Sequence, residues 1–158
     1  MMVTTDQARK AKEPSAQIFR REDRIIVHSQ SKTTVGVWIA IEPLFILPMD
    51  ASNSELGAAV LAALERSEES VPHPLQSELR KIASPLHRAA GVRSWRAFSY
   101  NTILAAARQQ EQEIILVPYE NRGPKAGFVE KVNQKLALPL GPSDEVGAKV
   151  REALALAS

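Results

Sequence analysis

The residues able to do chemistry are few and scattered. The three histidines, His28, His73 and His87, include no pair one helical turn apart, the spacing a metal-binding helix needs. The chain has no cysteine, so thiol chemistry and disulfides are excluded and the commonest structural zinc ligand is missing. Gly123-Pro124-Lys125-Ala126-Gly127 has the glycines and lysine of a phosphate loop. It lacks the Gly-Lys-Ser/Thr core and the strand-to-helix setting that aims backbone N–H groups at phosphate, and it reads as a turn. There is no Gly-x-Ser-x-Gly nucleophile motif. Glu65, Glu68 and Glu69, and again Glu111 and Glu113, are carboxylates in small groups, but nothing in their spacing pairs them for proton transfer, and they read as solvated surface. No catalytic residue, metal site or cofactor is therefore assigned, and the chain is not read as an enzyme.

Basic residues bear on nucleic-acid binding. Arg20, Arg21, Arg24 and Lys32 fall in one segment, and Arg80, Lys81, Arg88, Arg93 and Arg96 in another. A nucleic-acid surface wants such residues on one face among exposed aromatics. Aromatics make up only 5% of the chain, and Trp38 and Trp95 both read as buried. With a net charge of +2, the balance says little about partners. A small RNA-binding protein stays open as the alternative, and a degenerate enzyme domain as a third reading.

The elements that must position any site follow from an internal echo. Leu47 to Ser67, LPMDASNSELGAAVLAALERS, is nearly repeated at Leu138 to Ser158, LPLGPSDEVGAKVREALALAS. Each copy reads as a strand ending at Leu-Pro, a polar loop, and an amphipathic helix beginning at Asn53 or Ser143. Ser52 and Glu55 have capping-box spacing. Leu56, Val60, Ala63 and Leu64 share one helical face, as do Val146, Val150, Ala153 and Leu154. Gly57 and Gly147 recur inside these helices, where glycine costs roughly 1 kcal/mol against alanine, and predict that both helices approach a sheet closely.

With 158 residues, 44% of them apolar and 24% charged, the chain fits one soluble domain. Residues 1–17 read as a mobile polar tail and 18–158 as a single α+β domain. Arg24 to His28 and Thr33 to Ile41 read as a hairpin around a polar turn, Ser29 to Lys32. The second of these strands is apolar on both faces and so central. Glu42-Pro43 breaks it, and Leu44 to Leu47 is a third strand. Leu75, Leu79, Ile82 and Leu86 have helical spacing interrupted at Pro85, and the segment around Trp95, Phe98 and Tyr100 reads as a plug into the core. Thr102 to Gln109 is assigned as a strand paired with Glu113 to Tyr119, with helix as the alternative for the first of them. A turn-rich loop over 120–127 and a strand at Lys135 to Leu138 lead to the last helix. The expected fold is a mixed, largely antiparallel sheet with packed helices, built from two βββα-like halves, about 18–70 and 92–158, joined by a helical connection.

The echoed helices, with Gly91-Val92, Ser94-Trp95 and Pro118 between them, resemble the CdiI family of immunity proteins from bacterial contact-dependent growth inhibition systems, from about Ile18 onward. The resemblance implies a non-enzymatic cytoplasmic protein, neither membrane-inserted nor bound to nucleic acid, that neutralises its cognate toxin domain in a one-to-one complex. Such toxins are commonly nucleases, and an acidic patch over a cationic cleft is the mechanism it suggests. The positive net charge requires any such patch to be local, or binding to fall beside the active site. The resemblance fixes no contact residues. Exposed loops carrying Tyr and Arg make interface anchors, which selects Tyr119, Glu120, Arg122 and Lys125; Glu65, Glu68 and Glu69 form the densest acidic group.

Overall fold

The computed structural model describes residues 8–158. A seven-stranded antiparallel sheet is built from β2 (Ser15–Arg21), β3 (Arg24–Lys32), β4 (Trp38–Pro48), β6 (Thr102–Gln110), β7 (Glu113–Asn121), β8 (Phe128–Glu130) and β9 (Leu136–Pro139). The order is β4-β3-β2-β6-β7-β8, with β9 also paired to β7. Two short strands, β1 (Arg9–Lys10) and β5 (Glu68–Glu69), pair outside it. The long helices are α1 (Asn53–Glu65) and α6 (Ser143–Leu156). Short helices α2 (Gln76–Ile82), α3 (Ser84–Ala90) and α4 (Trp95–Ser99) join the halves, and α5 (Gly123–Ala126) follows β7. Among the described residues no helix is long and apolar enough to cross a membrane.

The echo is a structural duplication. Ala16 and Ile18 of β2, Ile25 and Val27 of β3, and Leu56, Val60, Ala63 and Leu64 of α1 enter one core. Ala105 and Ala107 of β6, Ile114 and Leu116 of β7, and Val146, Val150, Ala153 and Leu154 of α6 enter the same core from the other half. Both hairpins turn through two residues, Glu22-Asp23 and Glu111-Gln112. Glu22 and Glu111 adopt φ of 53° and 56°, the left-handed geometry such tight turns need. The halves join where β2 pairs with β6, and there Gln17 lies directly opposite its own counterpart, Ala106. An approximate two-fold axis thus passes through that pair.

At the other end of this axis α1 crosses α6 at Gly57 and Gly147. A Cβ on Gly57 would lie 2.6 Å from the Ser143 carbonyl carbon and 2.8 Å from the Gly147 nitrogen; one on Gly147 would lie 2.8 Å from Asn53 Cα. The glycines therefore admit one helix to the other, not a helix to the sheet as expected from sequence. Ser52 Oγ accepts the Glu55 N–H at 3.0 Å, capping α1. Ser143 makes no such cap. Its hydroxyl shares a hydrogen bond with that of Ser54 at 3.1 Å, across the helix crossing.

Several expectations are corrected. Of the segment expected to be a tail, residues 1–7 lie outside the described residues. Arg9-Lys10 pair with Glu69-Glu68, and β2 begins at Ser15, with Ala16 wholly buried. Backbone pairing, with the small buried side chains of Ala11 and Ala16, anchors this stretch without large apolar residues. Ser29 to Lys32 is strand, not turn. Ser29 Oγ donates to the Ala63 carbonyl at 2.7 Å and Ser31 Oγ accepts from Glu68 N–H at 2.9 Å, so these polar residues are buried by bonding the end of α1 and β5. The strand expected to be central is the sheet's edge, β4, whose Val35-Gly36-Val37 approach is exposed. Glu42-Pro43, joined by a cis peptide, lies opposite a register shift at His28/Ser29, and β4 continues through it.

Candidate functional site

The two faces of the sheet are covered unequally. α1 and α6 pack across one, over a core to which both halves contribute. On the other, α3 and α4 cover only the half around Phe19, Ile26 and Leu104, where Leu86, Ala89, Ala90 and Phe98 pack. The remaining half is a groove of about 430 Å³ across β4, β3, β2, β6 and β7.

Strand alternation decides what lines it. Ser15 and Gln17 of β2, Gln30 of β3 and Ala106 and Arg108 of β6 share this face because each is two residues, or one rung, from the next, and Trp38 of β4 joins them because its rung partner, Lys32, is two residues from Gln30. The lining is polar where the covered half is apolar. Ser15 Oγ donates to Gln30 Oε1 at 2.8 Å, fixing that amide. Trp38, at 37% exposure, forms one wall, contrary to the expectation that it is buried, because it stands on the edge strand. Trp95 is exposed too, its Nε1–H donating to the Pro124 carbonyl at 3.2 Å.

Arg108 and Tyr119 form the other wall, and both are bonded to Glu130. Arg108 Nη2 pairs with Glu130 Oε1 and approaches the Tyr119 hydroxyl at 3.3 Å, while Tyr119 donates to the same carboxylate oxygen at 3.0 Å. The guanidinium bond holds the Glu130 carboxyl below its usual range. Burial, the larger effect, pushes the Tyr119 phenol up to about 12, so it remains a hydrogen-bond donor at any physiological pH. The cluster holds one edge of the guanidinium at the groove wall.

Of the residues selected from sequence, Tyr119 alone lines this groove. It belongs to strand β7 and is half-buried, not part of an exposed loop. Glu120 and Arg122 pair with each other at 3.2 Å, and Lys125 stands exposed on α5. Glu69 is engaged with Arg9 at 3.1 Å, closing β1 on β5; Glu65 is exposed at the end of α1. The two groups do not come together. Glu68 bonds Ser31 at one end of the sheet, whereas Asn121, beside the loop, bonds the Ser99 and Thr102 carbonyls at the other. Sequence reasoning missed Gln17, Gln30, Trp38, Arg108 and Glu130. The available signal was polar residues alternating with buried ones inside apolar strands, SAQIF and LAAAR.

The family model for CdiI, described as CDI immunity protein, matches residues 14–157. The chain belongs to the CdiI family. Solved structures with the same fold include a protein of unknown function from Neisseria meningitidis, 18% identical at a TM-score of 0.75, covering all of both chains. Another is the CdiA-CT/CdiI toxin and immunity complex from Yersinia pseudotuberculosis, also 18% identical at 0.75, covering 94% of this chain and 99% of that one. No curated protein matches the chain. The CdiI match covers both halves and so includes both walls of the groove.

Proposed function

We propose that this CdiI-family chain is a cytoplasmic immunity protein that binds the toxin domain of its own contact-dependent growth inhibition system, with the open half of the sheet as a contact face. The family match over residues 14–157 carries the reading. The groove supplies a face suited to it: a concave surface with a half-exposed tryptophan, a tyrosine and an arginine, the residue types that dominate interface energetics, beside two glutamine amides. The toxin is a nuclease acting on tRNA or DNA, and the immunity protein blocks or covers its active site without performing chemistry itself. Because the net charge is +2, the fit depends on local pairing and shape and not on a general acid-to-base attraction.

The test is co-expression with the C-terminal toxin domain encoded beside this chain, then co-purification, titration and a growth assay. Expected are a one-to-one complex of nanomolar affinity, rescue of growth, and loss of the toxin's cleavage of tRNA or plasmid DNA when the chain is added. A folded chain that neither binds the toxin nor rescues growth would sink the reading.

A further inference from the structure

The internal two-fold makes the open groove the counterpart of a place that the chain fills for itself. In the covered half, α4 inserts Phe98, fully buried, edge-on to Phe19 of β2 with ring centroids 5.1 Å apart. Phe128 and Trp95 enclose the pair, at 6.3 Å from Phe19 and 5.8 Å from Phe98. Rotation about the Gln17–Ala106 pair brings Phe19 to Arg108 and Leu104 to Ser15. Among the described residues nothing occupies the place over Arg108 that Phe98 occupies over Phe19.

Resting on the immunity reading, the geometry points to an aromatic side chain of the toxin as the occupant of this groove, inserted between Trp38 and the Arg108 guanidinium with its edge over Gln17. The duplication says that this depth of sheet accepts one ring on a short helical or loop segment, as α4 shows. Arg108 stands where Phe19 stands in the covered half, and a guanidinium is a good stacking partner for an aromatic face. Gln17 and Gln30 offer amide groups to a phenol or indole at the bottom, which favours tyrosine or tryptophan over phenylalanine. A nucleic-acid base would fit the same slot. The protein ring is favoured because the Arg108 charge is already offset by Glu130, and because Glu13 places a carboxylate in the lining, both unfavourable to phosphate.

The experiment measures toxin binding by calorimetry for the wild-type chain and for Gln17→Tyr, which fills the slot from below, Trp38→Ala, which removes a wall, and Tyr100→Ala, which removes an exposed aromatic outside the groove. Thermal melts first establish that each is folded. Expected are a loss of at least 100-fold for Gln17→Tyr, at least 10-fold for Trp38→Ala, and no change for Tyr100→Ala. If wild type binds and the folded groove variants bind equally well, the slot assignment falls while the immunity reading stands. Absence of wild-type binding overturns both. Micromolar binding of a short single-stranded RNA at 150 mM salt, abolished by Gln17→Tyr, would overturn the protein occupant in favour of a base.

Discussion

His28 shows how a single residue sets a condition on the fold. It faces Gln17 across the β2–β3 ladder, is 1% exposed, and its Nδ1 has no hydrogen-bond partner among the described residues. Burial without a partner for the charged form pulls its pKa from the usual 6.5 to about 4. The folded protein therefore keeps the ring neutral while the unfolded chain takes up a proton below about pH 6.5. His28's share of stability is complete above that pH and is lost as the pH falls toward 4, by up to roughly 3 kcal/mol. Replacing His28 with Leu should flatten the decline between pH 6.5 and 4, as measured by urea unfolding at a series of pH values. A variant as acid-sensitive as the wild type over that window would show that His28 is not the cause. Sequence could not have isolated this residue. All three histidines lack a chemical pattern, and only the pairing of β2 with β3 buries this one among apolar strands.

The elements were legible where their signal is local. The helices from Asn53 and Ser143, the strand at 113–121 and the break at Pro85 follow from periodicity, cap residues and proline chemistry, whereas the alanine-rich strand at 102–110, locally suited to helix, follows from the internal repeat. What was misread depends on partners distant in the chain. The serines of β3 look like a turn until α1 supplies the carbonyl for Ser29, and β2 lacks a turn signal because its hairpin bends through Glu22-Asp23, without glycine. The glycines of α1 and α6 are the sharpest case: their recurrence marked a close approach, but only the crossing names the surface approached. Either Gly57→Ala or Gly147→Ala should destabilise by about 3 kcal/mol or more, since the obstructing atoms are backbone and cannot swing away. Gly141→Ala, whose Cβ would meet only the Pro139 carbonyl at 3.7 Å, should be nearly neutral. Because both helix glycines guard one crossing, the double variant should cost less than the two singles added together. Chemical denaturation of the four variants decides it; a mild effect at Gly57 would mean that α1 can shift on α6.

At the scale of the whole molecule, duplication explains both the fold and the site. Two βββα units, 15–65 and 102–156, each place one face of their strands under a helix, and each helix completes the other's core. The opposite face has two equivalent halves; α3 and α4 close one, and the asymmetry leaves the groove. That is why the site was hard to read from sequence. Arg108 gains meaning only beside Glu130 and Tyr119, and Trp38 only as the wall of a face left uncovered. The same arrangement predicts that neither half is a folding unit. A fragment of residues 8–101 would expose the inner edge of β2 and the apolar face of α1, and one of 102–158 the inner edge of β6 and that of α6. Each should lack a cooperative thermal transition in circular dichroism. Mixed or co-expressed, they should associate through the β2–β6 ladder and the glycine crossing and recover one, because those two surfaces contain most of what each fragment leaves unpaired. A cooperative transition in either isolated fragment would show that its core is sufficient alone, and would make the shared core a docking contact between two small domains.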